Sequence, residues 1–181
     1  MLKRILQENP IIPVISVNNY DDAIEILNKL KQQNINIVEF TLRSKNALKV
    51  IKKIIKTNTG FIIGIGTITS LKLLKKCAKL KADFLVSPGS SIKLLKYASK
   101  NKLNYLAGGV TAFEIMTIMS YSFKIIKFFP AEAMGGVKVI KNYQAVFPDV
   151  SFCATGGINT NNQQDYLSQP NVLAIGSSSI I

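Results

Sequence analysis

Short runs rich in β-branched and aromatic residues alternate along the chain with segments in which apolar residues recur every three or four positions. The apolar runs predict eight strands, at Ile11–Val17, Ile37–Arg43, Phe61–Thr67, Phe84–Gly89, Asn104–Gly109, Ile125–Ala131, Ser151–Gly157 and Val172–Ser177. The segments between them predict helices. Asp21–Gln33 carries Asp21 and Asp22 in its first turn and Ile24, Leu27 and Leu30 on one face, while Lys45–Lys56 sets Leu48, Ile51 and Ile55 opposite lysines. Strand starts recur every 20 to 26 residues, with one helix per interval and no long linker in the 181 residues. Residues 1–181 therefore read as one α/β domain, a parallel (β/α)8 TIM barrel below the usual length of about 250 residues. A doubly wound open sheet is the structural alternative. The chain ends at Ile181, just past the eighth strand, so the barrel is expected to lack its last helix. That would leave an apolar strip over strands eight and one, formed by residues such as Ile12, Val14 and Leu173. Its cover is expected from a subunit contact or from Met1–Glu8, where Leu2, Ile5 and Leu6 form a short apolar stripe.

One residue breaks the pattern. Lys127 lies within Ile125-Ile126-Lys127-Phe128-Phe129-Pro130, where a strand should be buried on both faces. A buried ammonium is costly unless it is used. Desolvation favours the neutral amine of a buried lysine, which can condense with a ketone to form a Schiff base. On the strand alone, a lysine at a strand end reaching to water is the other reading.

Composition narrows the chemistry available. The chain has no histidine, which excludes His-based acid–base catalysis, a Ser-His-Asp triad and His-ligated zinc. Carboxylates and lysines must carry any proton transfer. Cys77 and Cys153 have no metal-ligand spacing and lie in apolar surroundings, as expected of buried, inert thiols in a reducing compartment. The N-terminal Met-Leu-Lys-Arg-Ile-Leu-Gln-Glu is too short and polar for a signal peptide and no apolar stretch reaches 18 residues, so a cytoplasmic protein with no membrane partner is expected. The net charge of +13 is almost entirely lysine, with Arg4 and Arg43 the two arginines. These lysines are scattered over the predicted helices without a base-stacking aromatic platform, and no specific nucleic-acid partner is expected.

In a parallel barrel the active site is built at the C-terminal strand ends. Strand two reads Val38-Glu39-Phe40-Thr41-Leu42-Arg43, and the two-residue period puts Glu39, Thr41 and Arg43 on one face. If that face is the lumen, a carboxylate lies deep inside and a guanidinium at the mouth, roughly 13 Å apart along the strand. Strands three and four end in Gly64-Ile65-Gly66-Thr67 and Ser87-Pro88-Gly89, placing small or hydroxyl residues beside the mouth. Strands seven and eight end in Thr155-Gly156-Gly157 and Gly176-Ser177-Ser178, the places where barrels bind phosphate through backbone amides. Taken alone these glycines could simply make tight turns. Together the chain offers a lysine amine, a carboxylate, an arginine for a substrate carboxylate and a phosphate cradle, with no metal site. The set suits carbon–carbon cleavage through an imine.

Val38-Glu39-Phe40-Thr41-Leu42-Arg43, Gly64-Ile65-Gly66-Thr67, Ser87-Pro88-Gly89, Lys127-Phe128-Phe129-Pro130-Ala131-Glu132, Gly135-Gly136, Phe152-Cys153-Ala154-Thr155-Gly156-Gly157-Ile158 and Ile175-Gly176 follow one another in order and spacing. From about Pro10 to Ser178 the chain thereby resembles the 2-keto-3-deoxy-6-phosphogluconate (KDPG) aldolase family, which includes bifunctional enzymes that also cleave 4-hydroxy-2-oxoglutarate (KHG). The resemblance implies a class I aldolase without metal or cofactor, acting on a small 2-keto acid bearing a phosphate and assembled as a homotrimer. It implies Lys127 as the Schiff-base lysine and Glu39 as general acid and base. Arg43 and Thr67 would hold the pyruvate carboxylate, Pro88 and Phe129 would line the pocket, and Gly156, Gly157 and Ser178 would bind phosphate. The chain departs from the family pattern at Ala107-Gly108, at Ala154 and at Ser177, where the family has Pro-Gly, proline and glycine. The functional alternatives are a different phosphosugar barrel enzyme, such as an epimerase or synthase, a non-catalytic barrel and a basic binding module.

Overall fold

The computed structural model describes residues 1–57 and 59–179. Helix α1 (Leu2–Glu8) leads into eight strands: β1 (Ile11–Ser16), β2 (Ile37–Thr41), β3 (Ile62–Gly66), β4 (Phe84–Val86), β5 (Tyr105–Gly108), β6 (Ile125–Phe128), β7 (Ser151–Thr155) and β8 (Val172–Ser177). Between successive strands lie α2 (Tyr20–Gln32), α3 (Ala47–Thr57), α4 (Leu71–Ala78), α5 (Ile92–Lys100), α6 (Ala112–Met119), α7 (Gly136–Val146) and α8 (Gln163–Leu167). The strands pair in parallel in sequence order and close, β8 on β1, into a barrel. All eight predicted strands are present. Every one but the last ends one to three residues earlier than the apolar run does, because the chain turns outward at the mouth. No helix among the described residues is long and apolar enough to cross a membrane.

Four helices begin where short polar side chains can satisfy free N–H groups. Asn19, Ser70 and Ser91 each accept from the backbone three residues on, and Thr111 with Glu114 forms a reciprocal capping box. The helices pack their apolar faces on the outside of the barrel, so strands such as β2 are buried along their whole length. Burial on both faces removes the polar alternation that would reveal which side of a strand faces inward.

Inside the barrel, Ile12, Ile37, Phe84, Val86, Leu106, Cys153 and Ala174 form the bottom layer, and Ile5 and Leu6 of α1 pack into it from below. Ile12 and Val14 thus do not form the external strip expected from the sequence. Ile12 belongs to this interior layer, and Val14 approaches Gly176 and lines a cavity at the mouth. The inward face of β1 is the even-numbered one, and its outward residues Ile15 and Val17 are covered in the outer core. Leu173 is only partly buried, against the bottom layer. Phe84 fills the middle of the lumen because Gly64 has no side chain; a Cβ there would stand 2.3 Å from the ring.

Candidate active site

Lys127 on β6 and Glu39 on β2 meet above that apolar floor, on opposite walls of the lumen. The Lys127 ammonium donates to both carboxylate oxygens, at 3.1 Å to Oε1 and 3.2 Å to Oε2, with the side chains only 6% and 4% exposed. A pair this closed to water is expensive to form, and removing either partner would strand a buried charge. Gly66 makes the arrangement possible. An alanine Cβ at that position would lie 2.0 Å from Glu39 Oε1.

Cys153 stands beside Lys127 in the β6–β7 register. Burial pushes its thiol up to about 12, the Lys127 charge working in the opposite direction, so it stays protonated and leaves Glu39 as the proton-accepting group in the layer. Both cysteines are buried and unpaired, as the sequence suggests.

Above the ion pair the lumen opens. Phe129, one residue past β6, places its ring 5.6 Å from the Lys127 ammonium. The same ring lines a cavity of about 70 Å3 together with Arg43, Thr155, Gly156, Gly157 and Ser178. Larger cavities exist on the outside, of about 540 Å3 around Glu132 and Tyr166 and about 410 Å3 beneath β5 and β6. The 410 Å3 one does hold an amine beside a carboxylate, Lys124 and Asp149 at 3.1 Å, but that pair is exposed to water. The smaller cavity adjoins the buried Lys127–Glu39 pair through the Phe129 ring, so the chemistry selects it.

The sequence-derived site residues fall out as follows. Glu39 and Lys127 are in direct contact, and Arg43, Phe129, Gly156, Gly157 and Ser178 share one cavity at the mouth. Arg43 lies beyond the end of β2 rather than on it, exposed in the turn that follows. Thr67 follows Gly66 with φ +64, an unusual left-handed backbone for a β-branched residue. Pro88 sits on a loop that presses against β5: a Cβ on Gly108 would lie 2.4 Å from its carbonyl. The Ser87 hydroxyl bonds Tyr105 (2.6 Å) on the outside of the barrel instead of facing the mouth.

Two hydroxyl groups escaped the sequence reading. Ser16 bonds Thr41 at 2.7 Å, tying the ends of β1 and β2. Thr155 Oγ1 is buried, lines the mouth cavity and has no hydrogen-bond partner among the described residues, an orphan that a bound ligand would satisfy. Its signal was available in the two-residue period of β7, where Thr155 shares a face with Cys153.

The glycine turn after β7 leaves backbone donors free beside the mouth cavity. Gly156 and Gly157 have φ +102 and +78, conformations that glycine adopts without strain. Among the described residues the N–H groups of Gly157 and Ile158 have no protein acceptor. Behind the turn, the buried Tyr166 phenol donates to Glu132, whose side chain packs where a Gly157 Cβ would be. Burial, reinforced by that carboxylate, raises the Tyr166 phenol above its ordinary range.

The sequence model of the family described as KDPG and KHG aldolase matches residues 2–181. The chain is 38% identical over 174 residues to the 2-dehydro-3-deoxy-phosphogluconate aldolase of Pseudoalteromonas atlantica, covering 96% of this chain and 81% of that one. It is 37% identical over 177 residues to the KHG/KDPG aldolase of Escherichia coli, covering 98% and 83%. Among solved structures it is similar to KDPG aldolase from Legionella pneumophila with pyruvate captured as a covalent carbinolamine intermediate. That likeness has a TM-score of 0.96 and 34% identity, covering 100% of this chain and 88% of the other.

Proposed function

Because the chain belongs to the KDPG and KHG aldolase family, we propose that it is a class I aldolase cleaving KDPG to pyruvate and glyceraldehyde 3-phosphate, and KHG to pyruvate and glyoxylate. The observation that carries this is the buried contact of the Lys127 ammonium with both oxygens of Glu39. A lysine held this way can pass its proton to the carboxylate and become a nucleophile without any group moving far.

In the proposed reaction the Lys127 amine attacks the C2 ketone, and the protonated Glu39 delivers a proton to the departing hydroxyl, so water leaves and an iminium remains. Glu39, again a carboxylate, takes the C4 hydroxyl proton. The C3–C4 bond then breaks, its electron pair passes into the iminium, and the aldehyde separates. Protonation of the resulting enamine at C3 by Glu39, followed by hydrolysis, releases pyruvate and restores the amine.

The remaining roles are those that membership of the family implies. Arg43 and Thr67 hold the pyruvate carboxylate, and Pro88 and Phe129 give the lumen its apolar wall. The free N–H groups of Gly157 and Ile158, at the turn made by Gly156, receive the phosphate with the Ser178 hydroxyl, as anions are received by turns of unpaired amides. The Thr155 hydroxyl supplies a further contact. The working form is taken to be the single barrel of residues 1–181, assembled as a homotrimer in the cytoplasm, where its two unpaired thiols stay reduced.

Incubation with pyruvate and borohydride should add one reduced pyruvyl group to the peptide containing Lys127. Lys127→Met should lose both this adduct and cleavage. Because it leaves the buried Glu39 carboxylate without its partner it should also lower the unfolding midpoint, with circular dichroism checking that the barrel is retained. Glu39→Gln should still be trapped but should cleave about 10²–10⁴-fold more slowly. Full cleavage by Lys127→Met would end the Schiff-base assignment.

A further inference from the structure

Each of the three carbonyls in the Gly156-Gly157-Ile158 turn is held by a different element. Gly156 O accepts from the Glu132 N–H at 3.1 Å, Gly157 O from Asn162 Nδ2 at 3.1 Å, and Ile158 O from the Ser177 hydroxyl at 2.7 Å. In a planar peptide the C=O of one residue points opposite to the N–H of the next. Fixing the carbonyls of Gly156 and Gly157 therefore aims the N–H groups of Gly157 and Ile158, which have no protein acceptor among the described residues.

The third bond supports the second. It orients the peptide between Ile158 and Asn159, whose N–H donates to Asn162 Oδ1 at 2.8 Å. That contact holds the Asn162 amide whose Nδ2 reaches back to Gly157 O. Consecutive left-handed glycines define no conformation by themselves, so the turn keeps its shape only through such ties. Ser177 is 3% exposed, and its hydroxyl also accepts from the Ser179 N–H at 3.2 Å. It thus bonds the β7 turn on one side and braces the backbone around Ser178 on the other. Its inward neighbour Gly176 has no room for a side chain, since a Cβ there would meet Thr155 Oγ1 at 2.5 Å.

We propose that Ser177 is a positioning residue that locks the two walls of the phosphate cavity together and so sets the preference for phosphorylated over unphosphorylated 2-keto acids. Ser177 lines that cavity, but its hydroxyl is turned to the Ile158 carbonyl and the Ser179 N–H, so it acts through the backbone it holds. The inference rests on the phosphate reading of this cavity, and it predicts a split between substrates that damage to the barrel as a whole would not produce.

The test uses the full chain carrying Ser177→Ala, with KDPG and KHG as paired substrates and inorganic phosphate as competitor. Loss of the tie should raise KM for KDPG and the inhibition constant for phosphate by about tenfold, the scale of one lost buried hydrogen bond. KM for KHG and both kcat values should stay within about twofold, because the Lys127–Glu39 pair is untouched. Should the alanine variant fail to fold, Asn162→Ala, at a half-buried surface position, removes the next link and should give the same split. Ser177→Thr, which keeps the hydroxyl, should retain phosphate affinity. Unchanged KDPG kinetics, or equal losses on both substrates, would overturn the positioning role. Wild-type protein indifferent to inorganic phosphate would overturn the phosphate reading first, and the role of Ser177 with it.

Discussion

Replacing Gly66 with alanine adds one methyl group at the point where the lumen has no space for it. The new Cβ would stand 2.0 Å from Glu39 Oε1, 2.7 Å from Cδ and 2.9 Å from Cγ, whereas ordinary contact begins at 3.4 Å. Relief by the carboxylate alone requires a displacement of about 1.4 Å, the difference between those two separations to Oε1. The contact it would disturb is the one to the Lys127 ammonium, now 3.1 and 3.2 Å, at the outer edge of the range of about 2.6–3.2 Å in which protons pass directly. Misplacement of a reacting group by about 1 Å costs on the order of 10²-fold, so kcat for KDPG cleavage should fall by about 10² and by no more than the 10⁴ of losing the base outright. Pyruvate release followed by coupled reduction is the assay. Lys127 itself is not touched, and borohydride trapping should persist. Gly89→Ala is the control, since a Cβ there meets no atom within 4 Å; its kcat should stay within about twofold. If Gly66→Ala retained kcat within about threefold of wild type, Gly66 would not be what positions Glu39.

Leu6→Ala should reveal what α1 contributes. Leu6 is fully buried under the barrel, and truncating such a side chain costs about 2–5 kcal/mol; an unchanged urea midpoint would show that the helix does not seal the lumen. The thiols make a pH prediction. Burial raises Cys77 from 9.0 to about 11 and Cys153 to about 12, so the folded state keeps protons that the unfolded state sheds. Their contribution to stability is complete below pH 9.0 and is lost as pH climbs from there through 11 and 12. Denaturant melts across that window should show the loss, and Cys153→Ala should reduce it; a thiol reagent at neutral pH should label only unfolded protein.

The barrel was legible because eight apolar runs alternate with amphipathic segments that fold as helices of five to thirteen residues, a local property of the chain that survives folding. Lys127 was legible for the opposite reason, as a charge where the pattern demands none. What the pattern could not resolve was the facing of strands buried on both sides: Ile12 and Val14 read equally well as lining or as outer surface. Strand ends were overestimated because Leu42-Arg43, Pro88-Gly89 and Phe129-Pro130-Ala131 are as apolar or as extended as the strands they follow, yet sit where the sheet opens. The space that Gly66 leaves for Glu39 is a contact across two strands, 27 residues apart in the chain, and no local signal encodes it. The Ser177 tie to Ile158 is equally non-local, and in the sequence Ser177 shows only as a departure from the family's glycine.

The floor laid by Ile5 and Leu6 turns the lumen into a vessel with one opening. Whatever is split at Lys127 must leave by the route through which it came, and the half not bonded to the enzyme lies nearer the exit. On the proposed chemistry the aldehyde therefore departs first, and the water that frees pyruvate can arrive only after that half has gone. Sequestration and timing then come from the same short helix: by closing the far end, it imposes an order on the two departures and keeps the enamine from meeting solvent too early. Such a vessel runs backwards just as strictly. On the same proposed chemistry pyruvate would load first and wait, tethered and activated, for whichever aldehyde the rim admits.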